Sequence, residues 1–459
     1  MTPPLGTGRD IGPDAGPDAG PDAGPDGVRP GRGTGLAARV RAWAPGLTSA
    51  AASVLVTVAF LAMARFGGFD SFGMFLVLQA VGVILGIPML WGVHVNASRA
   101  LAAGTGAGVV VGTSLAVVGA ACLLISAASL AVLAVIPVPG ADLFRYAAAL
   151  GASGALMSLA ESLLRIRGRQ SLASGLRLAC AVGFVLAVAW VLATGHADAG
   201  VYAALVTGSN TVCAGLMLLG LRGTSPLRRD AALARTLVRE GRTYSAGQSL
   251  LILLFGFDTI LLMQAAGPAA VAIYALYIGS CRRVIGVLFT DSLASLLIAS
   301  LSRHGAAPGG SSTGGRAALR YGPRLLGLAA GGAAVLIVIS LAAAGALPHL
   351  VPAWVVLAAA GCAAHALVVV LFCVITVQPA LGLARIRRGL TLAFLPGLGL
   401  QATGAALGGL PGTIAAFAAL NIVLAAWFLL VIRRATPGDP PSQNDATPVG
   451  AATPRRNGS

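Results

Sequence analysis

Lysine is absent from this sequence: all 31 basic residues are arginine. That excludes a phosphate-loop lysine, a Schiff-base lysine and a Ser/Lys dyad together. Acids are scarce too, with 15 Asp and Glu in 459 residues, and nowhere do acids or histidines cluster as a hydrolytic or transferase site would need. The six cysteines contain no CxxC pair and all fall inside apolar runs, so they read as small buried hydrophobes. The five histidines share no metal-ligand spacing, and neither a metal nor a cofactor is expected. Charge of any kind is thin. At 10% of residues it is well below the quarter typical of a soluble domain. The net charge of +16 would suggest nucleic acid in a soluble protein, but here the arginines stand in short runs between apolar segments, where they set membrane topology. No nucleic-acid partner is expected.

What is abundant is hydrophobic surface: 57% of residues, with a mean hydropathy of +0.86. Counting apolar runs of about twenty residues as bilayer-spanning helices gives twelve, near 45–66, 71–94, 106–136, 142–164, 173–194, 199–221, 243–264, 269–300, 322–346, 352–377, 389–408 and 411–432. The predicted class is an all-α integral membrane protein of twelve helices in two six-helix lobes. The organising stretch is Arg222–Arg303. A basic run with six arginines and two acids, RGTSPLRRDAALARTLVREGR, is followed by two long apolar segments joined at a Gly-Pro turn. The expected divisions are a disordered tail over 1–40, an N-lobe over 41–221, a basic linker over 222–242, a C-lobe over 243–434 and a second tail over 435–459. Both tails are Pro-rich and polar, the first through its GPDA repeats. With some forty residues before the first apolar run, no cleaved signal is expected.

Arginines alternate between the ends of the spans. Twenty-four, from Arg29 to Arg434, gather on one side, while Arg65 and Arg145 stand on the other beside Asp70, Asp142 and Asp198. This asymmetry predicts cytoplasmic termini. The wholesale use of arginine, with abundant alanine and glycine, is the codon bias of a GC-rich genome, so the expected location is a bacterial inner membrane. Connections on the arginine-poor side are all short, and leave no room for the external loop of a polymerase or ligase.

The halves echo each other at an offset of 199: Gly68, Gly73 and Phe75 in FGGFDSFGMF match Gly267, Ala272 and Tyr274 in AAGPAAVAIY. Both triplets fall between the first and second span of a half. Small residues there let helices approach, and the substrate of such a two-fold repeat is handled between the halves. Two glycine patterns, GTGAG at 104–108 and GLGLQATG at 397–404, mimic dinucleotide loops but lie in or against hydrophobic spans and read as packing surfaces.

Three stretches, MARFGGFDSFGMF, LLRIRGRQ and FDTILLMQAAGPAAVAIYALYIGSCRRV, resemble the lipid-linked oligosaccharide flippases of the multidrug/oligosaccharidyl-lipid/polysaccharide exporter superfamily, over residues 40–434. The resemblance implies a MATE-like fold around a central cavity. It also implies a polyprenyl-pyrophosphate-linked glycan as substrate, moved from the inner to the outer leaflet for surface polysaccharide synthesis, with a polymerase or glycosyltransferases as companions.

Charges within the spans are few, and each is a functional candidate because burial in hydrocarbon is costly. Arg282 and Arg283 lie near mid-depth and are the candidates for meeting a pyrophosphate, since guanidinium pairs with phosphate in a planar fork. The plainer reading is that both snorkel, or that one pairs with Asp291. Asp258 is expected to be the partner of an arginine on the eighth span, or else a proton or cation site. Asp291 is expected near the cytoplasmic interface. Arg65 either holds phosphate or snorkels outward. Glu161 and Arg165, four apart, read as a structural pair, and His365 as hydrogen-bonded packing. Pro88 and Pro396 mark kinks. Two alternatives stand beside the flippase: a cation-coupled multidrug exporter, which wants an acidic cavity, and an integral-membrane enzyme of envelope glycan synthesis.

Overall fold

A computed structural model describes residues 36–102, 104–135, 141–221, 227–285, 311–377 and 383–435. Asp291 and the expected tails lie outside the described residues, except that residues 36–40 of the first tail and Ala435 of the second are helical. What is described is helical: α1 (Leu36–Gly67), α2 (Phe69–Leu90), α3 (Val93–Ala102), α4 (Ala107–Val135), α5 (Ala141–Ile166), α6 (Gln170–Ala193), α7 (Ala199–Gly220), α8 (Ala231–Tyr274), α9 (Ser280–Ile285), α10 (Ser311–Ala343), α11 (Pro352–Val377) and α12 (Leu383–Ala435). A π turn, Ala275–Gly279, joins α8 to α9.

Ten of these stretches are long and apolar enough to cross a bilayer. The difference from the expected twelve lies in two of them, which run unbroken by hydrogen bonding yet reverse direction. In α8 the break is at Gly267 (φ 80, ψ 179), followed by Pro268. Tyr274 lies 16 residues beyond Asp258, about 24 Å along a straight helix, yet its hydroxyl donates to that carboxylate at 2.5 Å. The two can meet only if the chain folds back. In α12 the break is at Gly409 (φ 52). There the backbones of Gly404 and Gly412 touch so closely that a Cβ on Gly412 would stand 2.1 Å from the carbonyl oxygen of Gly404.

The repeat has a structural counterpart. Gly68 (φ 87, ψ 146) and Gly267 (φ 80, ψ 179) adopt the same left-handed, extended turn, open to glycine and strained for other residues, and each launches a helix. Those helices meet at their starts: a Cβ on Gly73 would lie 1.9 Å from the carbonyl oxygen of Pro268.

The basic stretch expected as a linker is helical from Ala231. Asp230 caps that helix, its carboxylate accepting from the amides of Ala232 (2.7 Å) and Leu233 (3.0 Å). Short α3, in the stretch expected to connect the second and third spans, docks against it with the turn before it. The indole of Trp91 donates to the Val238 carbonyl at 3.0 Å, and the Asn96 amide to that of Leu237 at 3.2 Å. Trp91 itself turns the chain at φ 43, just after Pro88.

Packing divides unevenly along the helices. At the arginine-poor end one core, including Phe60, Phe75, Tyr202, Tyr277 and Phe417, draws on both halves of the sequence. At the arginine-rich end there are two: one built around Met89, Leu159 and Met217 from the first half, the other around Leu254, Leu371 and Phe428 from the second. The apolar packing is therefore joined at one end and split at the other.

Candidate functional site

Among the described residues, three cavities lie in the cleft between the split cores. The largest, about 640 Å3, lies among α2, α8, α9 and α11, with Val83, Ile252 and Phe372 in its wall. A second, about 290 Å3, lies against α1, α6 and α7. The third, about 280 Å3, extends toward the arginine-rich end at Gly92, His94 and Ser245. Gln79 of α2 borders all three, and Arg283 borders the first two.

Arg282 and Arg283 are neighbours on one helix, so their side chains leave it about 100° apart, and they go to different places. Arg282 turns to α8: its Nη2 donates to Asp258 Oδ2 at 2.5 Å and its Nη1 to the Phe255 carbonyl at 2.8 Å. Its guanidinium lies 4.3 Å from the Phe417 ring centre and 5.9 Å from that of Phe255. Asp258 is wholly buried and takes three further bonds, from Tyr274, from the Thr259 amide (2.6 Å) and from the Thr259 hydroxyl (3.1 Å). Tyr274 and Arg282 are eight residues apart, about 80° out of register on a regular helix. The π turn between them removes much of that offset, and both reach the same carboxylate. In this geometry Asp258 pairs with Arg282 of the following span. Both arginines border the largest of the three cavities, and Arg282 is the one paired with a carboxylate.

Arg283 points the other way, its guanidinium 3.8 Å above the Phe60 ring of α1. No carboxylate of a described residue pairs with it. It is a cation at the junction of two cavities with an aromatic face for support and its hydrogen-bonding edge unspent.

The remaining predicted residues sit apart from this centre. Arg65 is exposed, and its guanidinium lies across Gly345 at the arginine-poor end. Glu161 binds Arg165 at 2.6 Å, as the spacing predicts, and also Arg177 of α6 at 3.3 Å. His365 bonds Asn421 at 3.1 Å and meets the Phe255 ring edge-on, so it is packed as expected while also facing the large cavity. Sequence reasoning missed Gln79, Asn210 and Tyr274. Each is a polar group within an apolar run, and a census confined to charged residues passes over them.

Neither a family model nor a curated protein matches the sequence. Solved structures do match the fold. The chain is similar to the lipid II flippase MurJ in an inward closed conformation, at 9% identity over 84% of this chain and 87% of that one, with a TM-score of 0.57. It is also similar to an inward-facing multidrug resistance MATE family transporter of the MOP superfamily, at 17% identity over 84% and 94%, TM-score 0.52. A MATE protein in complex with MaL6 matches at 15% identity over 86% and 94%, TM-score 0.52. The chain has the all-helical, MATE-like fold of MOP-superfamily transporters. At these identities the likeness is one of fold.

Proposed function

We propose that this protein is a flippase that carries a polyprenyl-pyrophosphate-linked oligosaccharide from the cytoplasmic to the outer leaflet of a bacterial inner membrane, for surface polysaccharide synthesis. The observation that carries the reading is the sign of the cleft. Among the described residues lining its three cavities are Arg177, Arg282 and Arg283 and no Asp or Glu; Arg177 pairs with Glu161 and Arg282 with Asp258, so the charge left for a guest is that of Arg283. A lipid-linked pyrophosphate needs positive groups in the wall. An exporter of organic cations needs acids there, and Asp258, the carboxylate bonded to the wall residues Thr259, Tyr274 and Arg282, is buried and spent on Arg282. Arg283 supplies the planar fork for the phosphate. The arginine-rich end, where the cores part, faces the cytoplasm by the charge asymmetry, so substrate enters from the side on which it is made.

Release requires parting the opposite end. That end is held by the contact of Gly73 with Pro268 and by the core that draws on both halves, with Phe60, Phe75 and Tyr202 from the first and Tyr277 and Phe417 from the second. Rocking the two halves about the shared core would exchange one opening for the other.

The test is export of the cognate glycan in cells lacking their own flippase, normalised to membrane protein. Arg283→Ala should lower export about tenfold or more, the loss of one or two charge-assisted hydrogen bonds, while the protein stays inserted. Arg283→Lys should recover part. Full export by the alanine variant would remove Arg283 from the substrate path.

A further inference from the structure

The two larger chambers differ in chemistry, and Arg283 stands between them. In the chamber against α1, α6 and α7, the side-chain amides of Gln79 and Asn210 and the hydroxyls of Ser53 and Ser209 face the cavity without a hydrogen bond to any other described residue. The chamber against α8 and α11 shares Gln79 and Arg283 with the first along their common border, and its other polar side chains are committed. Thr259, Tyr274 and Arg282 bond Asp258, and His365 bonds Asn421. What that chamber offers a guest is the hydrocarbon of Val83, Leu251, Ile252, Val369 and Phe372. A wall that merely faced water would show no such division. Unspent Asn210, Ser53 and Ser209 on one side, spent groups and hydrocarbon on the other, and Gln79 with Arg283 on the border between them suit a guest with a hydroxylated end and an apolar end.

We infer that the cleft sorts the two ends of one amphiphile. The sugar next to the phosphate hydrogen-bonds Gln79, Asn210, Ser53 and Ser209 in the chamber of about 290 Å3, the phosphate meets Arg283, and the first prenyl units lie in the chamber of about 640 Å3. This rests on the flippase reading and adds to it a means of telling a glycosylated carrier from a bare one. A site built to bond hydroxyls leaves its own amides unpaired when the hydroxyls are missing, and discriminates accordingly. The bare carrier is the species that should not be moved outward with its sugar missing.

The experiment uses the full-length protein in lipid nanodiscs and two probes, undecaprenyl pyrophosphate and undecaprenyl-pyrophosphoryl-N-acetylglucosamine. The unaltered protein should bind the glycosylated probe about tenfold more tightly, the worth of one or two hydrogen bonds. Asn210→Leu combined with Ser209→Ala, at positions that do not border the prenyl chamber, should bring the glycosylated probe down toward the bare one and leave the bare one unchanged. Val369→Asn should weaken both probes alike. Should that variant not fold, Ser53→Ala with Ser209→Ala removes only two hydroxyl oxygens and should narrow the preference in the same direction. Equal weakening of both probes by either pair of changes, or no preference in the unaltered protein, overturns the sorting while the flippase reading stands. Failure of both probes to bind the unaltered protein overturns the flippase reading, and the sorting with it.

Discussion

Asp258 and Arg282 are the clearest case of residue-scale energetics in this molecule. A buried ion pair can be close to neutral against a well-packed apolar pair, yet removing one partner strands the other and costs about 3–5 kcal/mol. Asp258→Ala should therefore lower the thermal midpoint of the detergent-purified protein sharply, since it leaves Arg282 and Tyr274 without their acceptor. The double change Asp258→Leu with Arg282→Met should regain most of the loss. An unchanged midpoint for the single variant would mean that the pair does not hold the two spans together. The residue scale also shows where charge-based reading ran out. Sequence places Arg282 and Arg283 at mid-depth but gives them one role. Their separation follows from the roughly 100° between adjacent helical residues, combined with an acid on one side and an aromatic ring on the other.

At the scale of elements, the turn glycines and the close approach of α2 to α8 are the points of least tolerance. Gly68 has open space around its Cβ position, so Gly68→Ala isolates the conformational penalty of φ 87, about 1–2 kcal/mol. Gly267→Ala, at φ 80 and with equally open surroundings, should cost about the same, and similar drops in thermal midpoint would show that the two turns are energetically equivalent. Gly73→Val should cost more, because the side chain would enter the Pro268 carbonyl and force the helices apart. Overpacking of this kind costs about 1–3 kcal/mol, and here it adds to the loss of the seal. A Gly73→Val protein as stable as the parent would mean that the contact is not tight. The offset of 199 in the sequence marked these positions. What it could not convey was that the two marked helices touch each other, because a repeat describes resemblance and not adjacency.

At the scale of the whole molecule, the charge asymmetry and the parted cores make two predictions. A reporter inserted after His196, in an exposed turn of the arginine-poor end, should signal from outside, and one fused after Ser459 should signal from the cytoplasm. An external signal from the second would invert the orientation. Gln79→Cys should react with a membrane-impermeant maleimide faster in inside-out vesicles than in intact cells, over the background of the unaltered protein, because the cleft around Gln79 leads toward the arginine-rich end. Faster labelling in intact cells would place the opening on the other side.

The helical class, the twelve apolar runs, the repeat and the arginine asymmetry were all legible in the sequence, because each depends on composition and local periodicity, which the chain carries without folding. Tertiary structure alone decided which polar groups are spent and which remain available. Asp258 reads in sequence as an ion site or a partner, and only the fold-back at Gly267 brings Tyr274 and Arg282 onto it. Gln79 and Asn210, 131 positions apart in the sequence, share a cavity wall only because α2 and α7 pack in the same half of the cleft. Hydrogen bonding inside a bilayer is a matter of which helix faces which, since no water is there to satisfy a stranded group. That pairing is a property of packed neighbours, and a linear sequence names no neighbours beyond the next turn.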